Sequence, residues 1–183
     1  MESLLGAFRW RYDTARNQAI AAVVDLGPRV VPRLVRLLET GETSIERRAA
    51  ADALASLGAR EAVPSLIRAL ADPNMVVRRA AMLALLRLDA NVAAPRIIPL
   101  LRDESGGVRV LAAGVLGRFR DSRAVPALVR ALRDPKWYVR QSAATALGEI
   151  GSANANRPLQ KAARDSRAAV ARAAAKAIRS LRM

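Results

Sequence analysis

The chain is 183 residues long, with 31 Lys and Arg against 16 Asp and Glu, a formal net charge of +15, and neither Cys nor His. Those two absences exclude disulfides, thiolate nucleophiles, imidazole acid–base chemistry and the usual zinc sites. Hydrophobic residues make up 52% of the chain but aromatic ones only 3%, and an apolar mass of Ala, Leu and Val suits closely packed helices rather than a strand-rich fold.

The first twelve residues, MESLLGAFRWRY, hold no basic segment followed by an apolar run, so no signal peptide is expected. No apolar stretch reaches membrane-spanning length. A soluble, cytoplasmic protein is the simplest expectation. Phe8, Trp10 and Tyr12 crowd together here. Two roles are open to them: covering the exposed end of the first unit, or forming an apolar docking patch.

From Tyr12 onward the chain repeats itself. Arg16, Arg47, Arg78, Arg109 and Arg140 stand 31 residues apart. Gly27, Gly58 and Gly151 keep the same phase, and Leu66, Ile97, Leu128 and Leu159 recur at the same interval, with Leu34 displaced by one. Such a period implies a stack of similar units that bury a continuous core between neighbours and present long exposed faces. Residues 12–27 match the second half of a unit only. The expected organisation is one domain over 1–183: an N-terminal cap or half-repeat at 1–27, four repeats over 28–151, and a C-terminal capping repeat at 152–183.

Each full unit reads as two helices. In residues 59–89, Pro64 falls in the first turn of the first helix, where a missing N–H is harmless. Val63, Leu66, Ile67 and Leu70 follow helical spacing. Asp72-Pro73-Asn74 then breaks the pattern, with Asp72 expected as the cap of a second helix. That helix carries Val77, Ala81, Ala84, Leu85 and Leu88 on one face, and the same positions recur through Val108, Val139 and Val170. Pro99 is a second proline in the first helix of the third unit and should bend or shorten it. In the last unit Ala171 stands where the periodic Arg would be.

The text A-V-P-x-L-[IV]-R-A-L-x-D-P-x-x-x-V-R-x-[AS]-A-x-x-A-L, shared by residues 59–89 and 121–151, resembles the HEAT-like repeat family, in particular its short phycobilisome-lyase-type class. The resemblance covers nearly everything after residue 12. It implies an all-α fold, a right-handed α-solenoid of about five two-helix repeats plus the half-repeat. It also implies that the periodic arginines and the inter-helix aspartates form a structural ladder: Arg47, Arg78, Arg109 and Arg140 with Asp72, Asp103 and Asp134, extending to Asp165. Thr40 and Glu46 break the pattern in the first unit, which leaves Arg47 freer than the others. Relatives include scaffolds, chromophore-lyase subunits, DNA-repair glycosylases and assembly factors.

In that family the second helices line the concave surface. Helical phase then places Arg48, Arg79, Val110, Gln141 and Arg172 in one inward row. Asp52, Leu83, Gly114, Thr145 and Lys176 form the next, and Ser56, Arg87, Arg118, Glu149 and Ser180 the third. Trp137 and Tyr138 sit at the rim, where they either anchor a partner or pack between neighbouring units. The candidate partner-binding residues are therefore Arg48, Arg79, Leu83, Arg87, Arg118, Trp137, Tyr138, Gln141, Arg172 and Lys176. The groove they would line is basic and partly apolar, which suits an acidic or amphipathic protein segment. A non-catalytic interaction scaffold or adaptor, acting within a larger assembly or alone, is the leading expectation.

The first helices carry Arg33, Arg36, Arg68, Arg96, Arg102, Arg130, Arg133, Lys161 and Arg164 outward. These form either a solvated face or a stripe that follows a phosphate backbone, so non-specific nucleic-acid binding is the alternative. A lyase or a DNA glycosylase is a remote third reading. The candidate carboxylates Asp52 and Glu149 are too far apart in sequence to act as a pair. No cofactor is called for. The last helix is basic and amphipathic, but its apolar side is mostly Ala, which disfavours membrane association.

Overall fold

Five helix ends fall at one 31-residue interval, and just past each of them the backbone φ turns positive. The φ values are 73° at Gly27, 66° at Gly58, 51° at Asp89, 50° at Arg120 and 76° at Gly151. This is the usual way to stop a helix and satisfy its last carbonyls. Glycine adopts the conformation freely, whereas Asp89 and Arg120 hold it with a side chain attached.

The computed structural model describes residues 13–181. The Phe8–Trp10–Tyr12 cluster lies outside the described residues, and so does the side chain of Arg16. Among the described residues there are eleven α-helices and no strand. They gather into two compact units, one ending at Ala90 and one beginning at Asn91.

The first unit holds α1 (Asp13–Val24), α2 (Val31–Thr40), α3 (Ser44–Ser56), α4 (Val63–Ala69) and α5 (Met75–Arg87). Here α2 packs on α3 and α4 on α5, while α3 packs on both α1 and α5. The second unit holds α6 (Ala94–Ile97), α7 (Gly106–Phe119), α8 (Val125–Ala131), α9 (Trp137–Ile150), α10 (Asn156–Ala162) and α11 (Ala168–Ser180). In it α7, α9 and α11 pack in sequence, and α8 and α10 lie against α9 and α11. Each first helix opens from a short 3₁₀ turn. In α2, α4, α6 and α8 a proline sits at the start, where no backbone hydrogen bond is lost.

The cores follow the repeat. In the first unit Leu34, Leu54, Leu66, Met82 and Leu85 are fully buried. In the second, Ile97, Leu116, Leu128, Leu147 and Leu159 are. Each such side chain contributes about 1.5–3 kcal/mol from burial alone. Valines 77, 108, 139 and 170 occupy one register near the start of the second helices, all at 0% exposure. In the first full repeat Glu46 stands in that register and is also buried. Its burial is compensated locally: Thr43 N donates to Glu46 Oε2 at 3.0 Å, and Glu46 N donates to Thr43 Oγ1 at 3.2 Å. This reciprocal pair closes the N-terminus of α3.

Two local expectations need correction or refinement. Asp72 is not the N-cap of the second helix. The cap is Asn74, whose side chain accepts from Val76 N, and Asp72 lies two residues earlier, accepting from Asn74 N at 2.8 Å. The side chain thus shapes the turn that leads into the helix. The first helix of the third repeat is α-helical only over Ala94–Ile97 and continues as a 3₁₀ turn, Ile98–Arg102. Pro99 lacks the N–H and crowds the preceding turn, which accounts for the change.

Candidate partner-binding faces

The periodic arginines carry charge that a partner would read if it were left unpaired. Arg47 donates through Nε and Nη2 to Asp72 (2.7 and 3.1 Å), and through Nη1 to the Gly41 carbonyl at 2.8 Å. Arg109 does the same with Asp134 (2.8 and 3.1 Å) and the Asp103 carbonyl at 2.8 Å. Arg140 repeats the pattern with Asp165 (2.7 and 3.0 Å) and the Asp134 carbonyl at 2.9 Å. Each guanidinium therefore grips its own inter-helix turn and the aspartate of the following repeat. Arg47 is held like its counterparts, contrary to the freer state expected from Thr40 and Glu46. Arg78 is buried and donates to the carbonyls of Asp72 and Pro73, both at 2.9 Å.

The bidentate bonds outweigh burial in setting the charge state. Hydrogen bonding to the partner carboxylate raises Arg47, Arg109 and Arg140 above the ordinary guanidinium value, although burial opposes it. Asp165 is lowered, chiefly by its bond to Arg140. The charges of Arg47, Arg109 and Arg140 are thus matched by carboxylates of the chain itself.

What remains exposed on the second helices differs between the two units. In the first, Met75, Arg79, Leu83 and Arg87 follow one another at four-residue steps along α5, all exposed. Met75 and Leu83 are each 45% exposed, unusually open for large apolar side chains. Arg87 Nη1 touches Ser56 Oγ at 3.2 Å, one period back on α3. Arg48 is half-buried and paired with Asp52 at 3.6 Å, so its charge is partly offset.

In the second unit Arg118, Arg172 and Lys176 are exposed and Gln141 is half-buried. Gly114 leaves open space on α7 where a side chain would stand. Trp137 and Tyr138 meet edge to face, with ring centroids 5.9 Å apart, and stay 40% and 39% exposed. Tyr138 also packs across the repeat boundary. A Cβ on Gly106 would lie 2.8 Å from the Tyr138 hydroxyl, so that glycine opens α7 under the ring. Tyr138 thus touches the neighbouring repeat at Gly106 while keeping part of its ring in solvent.

The Thr43–Glu46 cap and the aspartate turns escaped the sequence reading. Thr-x-x-Glu ahead of a helix was the available signal for the former. Among the described residues no group of three acidic side chains could hold a metal ion, and no helix is long and apolar enough to cross a membrane.

The HEAT-repeat family matches residues 10–86, 31–106 and 94–181. The chain belongs to the HEAT-repeat family. As a HEAT-repeat protein it has the fold of several designed solenoids. An engineered protein shares 22% identity over 99% of this chain and 96% of its own, with a TM-score of 0.67. A designed armadillo repeat protein in complex with the peptide (KR)4 shares 18% over 98% of both chains, with a TM-score of 0.69. A second designed armadillo repeat protein shares 17% over 98% of both chains, with a TM-score of 0.62. A comparison with curated proteins returns no match. These likenesses concern the repeat fold of the HEAT-repeat chain, and its exposed residues are its own.

Proposed function

We propose that this HEAT-repeat protein is a non-catalytic scaffold whose second-helix faces bind an acidic or amphipathic protein segment. The observation that carries the reading is the α5 stripe, Met75–Arg79–Leu83–Arg87, in which apolar and cationic side chains alternate in the open. An amphipathic helix with acidic flanks complements such a stripe: its apolar positions meet Met75 and Leu83, and its carboxylates meet Arg79 and Arg87. In the other unit Arg118, Trp137, Tyr138, Gln141, Arg172 and Lys176 supply the same mixture. A designed protein of this fold takes the peptide (KR)4, a cationic chain. The exposed charge here has the sign that selects the opposite kind of segment. Spending the ladder arginines on aspartates separates the charges that stack repeats from those that meet a partner.

The test is fluorescence anisotropy with a labelled 20-residue amphipathic helix bearing Glu and Leu on opposite faces. Combined Arg79→Glu and Arg87→Glu should weaken binding about tenfold or more while the circular dichroism is unchanged. Unaltered affinity would remove the α5 face from the proposal. Non-specific nucleic-acid binding is favoured by a different observation, the exposure of Arg36, Arg96, Arg102, Arg130, Arg133 and Arg164 on and around the first helices. It predicts that an oligonucleotide binds more tightly than the peptide, with log affinity falling linearly against log salt.

A further inference from the structure

The first helix of the third repeat departs from its neighbours in a way that opens a site. Where α4 and α8 are each seven residues long, this segment is α-helical for four and then becomes a 3₁₀ turn at Pro99. A 3₁₀ segment is thinner than an α-helix. Between it and α8 lies an open cleft of ≈ 620 Å³. Comparable clefts beside α4 and beside α10 measure only ≈ 360 and ≈ 340 Å³.

The lining is aliphatic at its centre and cationic at its edge. Ile98, Pro99, Leu101, Ala127 and Ala131 form the trough. Arg102, Arg130 and Arg133 border it, and all three are exposed. Among the described residues none of the three is ion-paired. The carboxylates at the cleft are already occupied: Asp134 by Arg109, and Asp103 by the Ser105 N–H at 2.9 Å. Three unmatched guanidinium groups therefore surround an apolar depression whose volume falls within the range of about 300–1,000 Å³ typical of ligand sites.

We propose that this cleft is a second binding site, specific for a short acidic peptide segment. One aliphatic side chain of the segment seats in the trough, and its flanking carboxylates meet Arg102, Arg130 and Arg133 in forked hydrogen bonds. The lining contains no aromatic face on which a nucleobase could stack, which argues against a nucleic-acid strand. The open side argues against a free acyl chain, which would stay wet along its length. The residues are separate from those of the second-helix faces, so this site stands without them.

The experiment uses the full chain and a labelled hexapeptide, acetyl-Glu-Glu-Leu-Glu-Glu-Gly-amide, read by anisotropy. Arg130→Glu with Arg133→Glu should weaken binding at least about tenfold. Ala131→Met, which fills the trough without altering charge, should also weaken it, with circular dichroism confirming that both variants fold. Arg79→Glu with Arg87→Glu should leave the hexapeptide affinity unchanged. Loss of binding in that last variant but not in the first two would overturn the cleft and leave the second-helix reading intact. Equal binding of an all-Gly-Glu hexapeptide would overturn the apolar trough. Tighter binding of a dodecanoate or hexanucleotide competitor than of the peptide would overturn the choice of ligand.

Discussion

Arg140 and Asp165 sit 25 residues apart in sequence, yet two parallel hydrogen bonds of 2.7 and 3.0 Å join them across a repeat boundary. The same guanidinium holds the carbonyl of Asp134, six residues upstream. Asp165 in turn accepts from Arg167 N at 2.9 Å, fixing the turn before α11. One ion pair thus joins two turns and two repeats. Side-chain exposures of 17% and 12% put it between a surface pair and a buried one.

Removing the arginine should therefore cost more than a surface salt bridge. Arg140→Ala leaves a largely covered carboxylate and an unfilled carbonyl, and is expected to destabilise by about 2 kcal/mol. That corresponds to a fall in Tm of about 4–8 °C for a chain of this size. Thermal unfolding by circular dichroism checks it, and a change under about 1 °C would show that the ladder contributes nothing to stacking.

Acid should weaken the same contact. The bond to Arg140 lowers the Asp165 carboxyl in the folded state, so the unfolded chain takes up this proton first as pH falls. Stability from this group is fully present above the unfolded carboxyl value, about 3.9, and is lost as pH drops below it through the folded value. Glu39, lowered by Arg68, and Asp121, lowered by Arg123, add contributions of the same sign. Tm measured between pH 2 and 6 should show an acid limb below about pH 4 that is shallower in Asp165→Asn.

Arg120 ends α7 with φ 50° and ψ 36°, the left-handed conformation that Gly151 adopts one period later at φ 76° and ψ 20°. A side chain there costs about 1–2 kcal/mol, of which glycine returns part to the unfolded chain. Arg120→Gly should stabilise the protein by about 0.5–1 kcal/mol, visible as a higher Tm or urea midpoint. Asp89→Gly should give less, because Asp tolerates this region better.

Two helical glycines in the second unit should respond with opposite signs. A Cβ on Gly148 would lie 2.9 Å from Ala177 Cα, where α9 meets α11. Gly148→Val should cost about 1–3 kcal/mol by forcing those helices apart. A Cβ on Gly114 meets nothing within 4 Å. Gly114→Ala should add about 1 kcal/mol through helix propensity. Urea denaturation of the two variants makes the comparison directly.

The repeat was legible because its causes are periodic. The valines of the second helices and the inter-helix aspartates recur every 31 residues, the prolines that open the first helices recur within one residue of that interval, and each acts through its own backbone or nearest neighbours. Pro99 could be read for the same reason, since its effect on the helix is local. Asp72 was misjudged as a cap because proximity to a helix start does not say which of Asp72 and Asn74 takes that position. Arg47 was misjudged because its carboxylate comes from the next repeat, at Asp72, and not from the irregular turn beside it.

Local pattern therefore settles which segments are helical, where they stop and which faces are apolar, because those depend on interactions within a few residues. Pairing is another matter. That Arg140 closes on Asp165, that Tyr138 covers Gly106, and that Arg102, Arg130 and Arg133 surround an aliphatic cleft beside a 3₁₀ turn all require helices from successive repeats to be placed against one another. The close packing that sets those distances is a property of the folded neighbours, which no run of residues carries on its own.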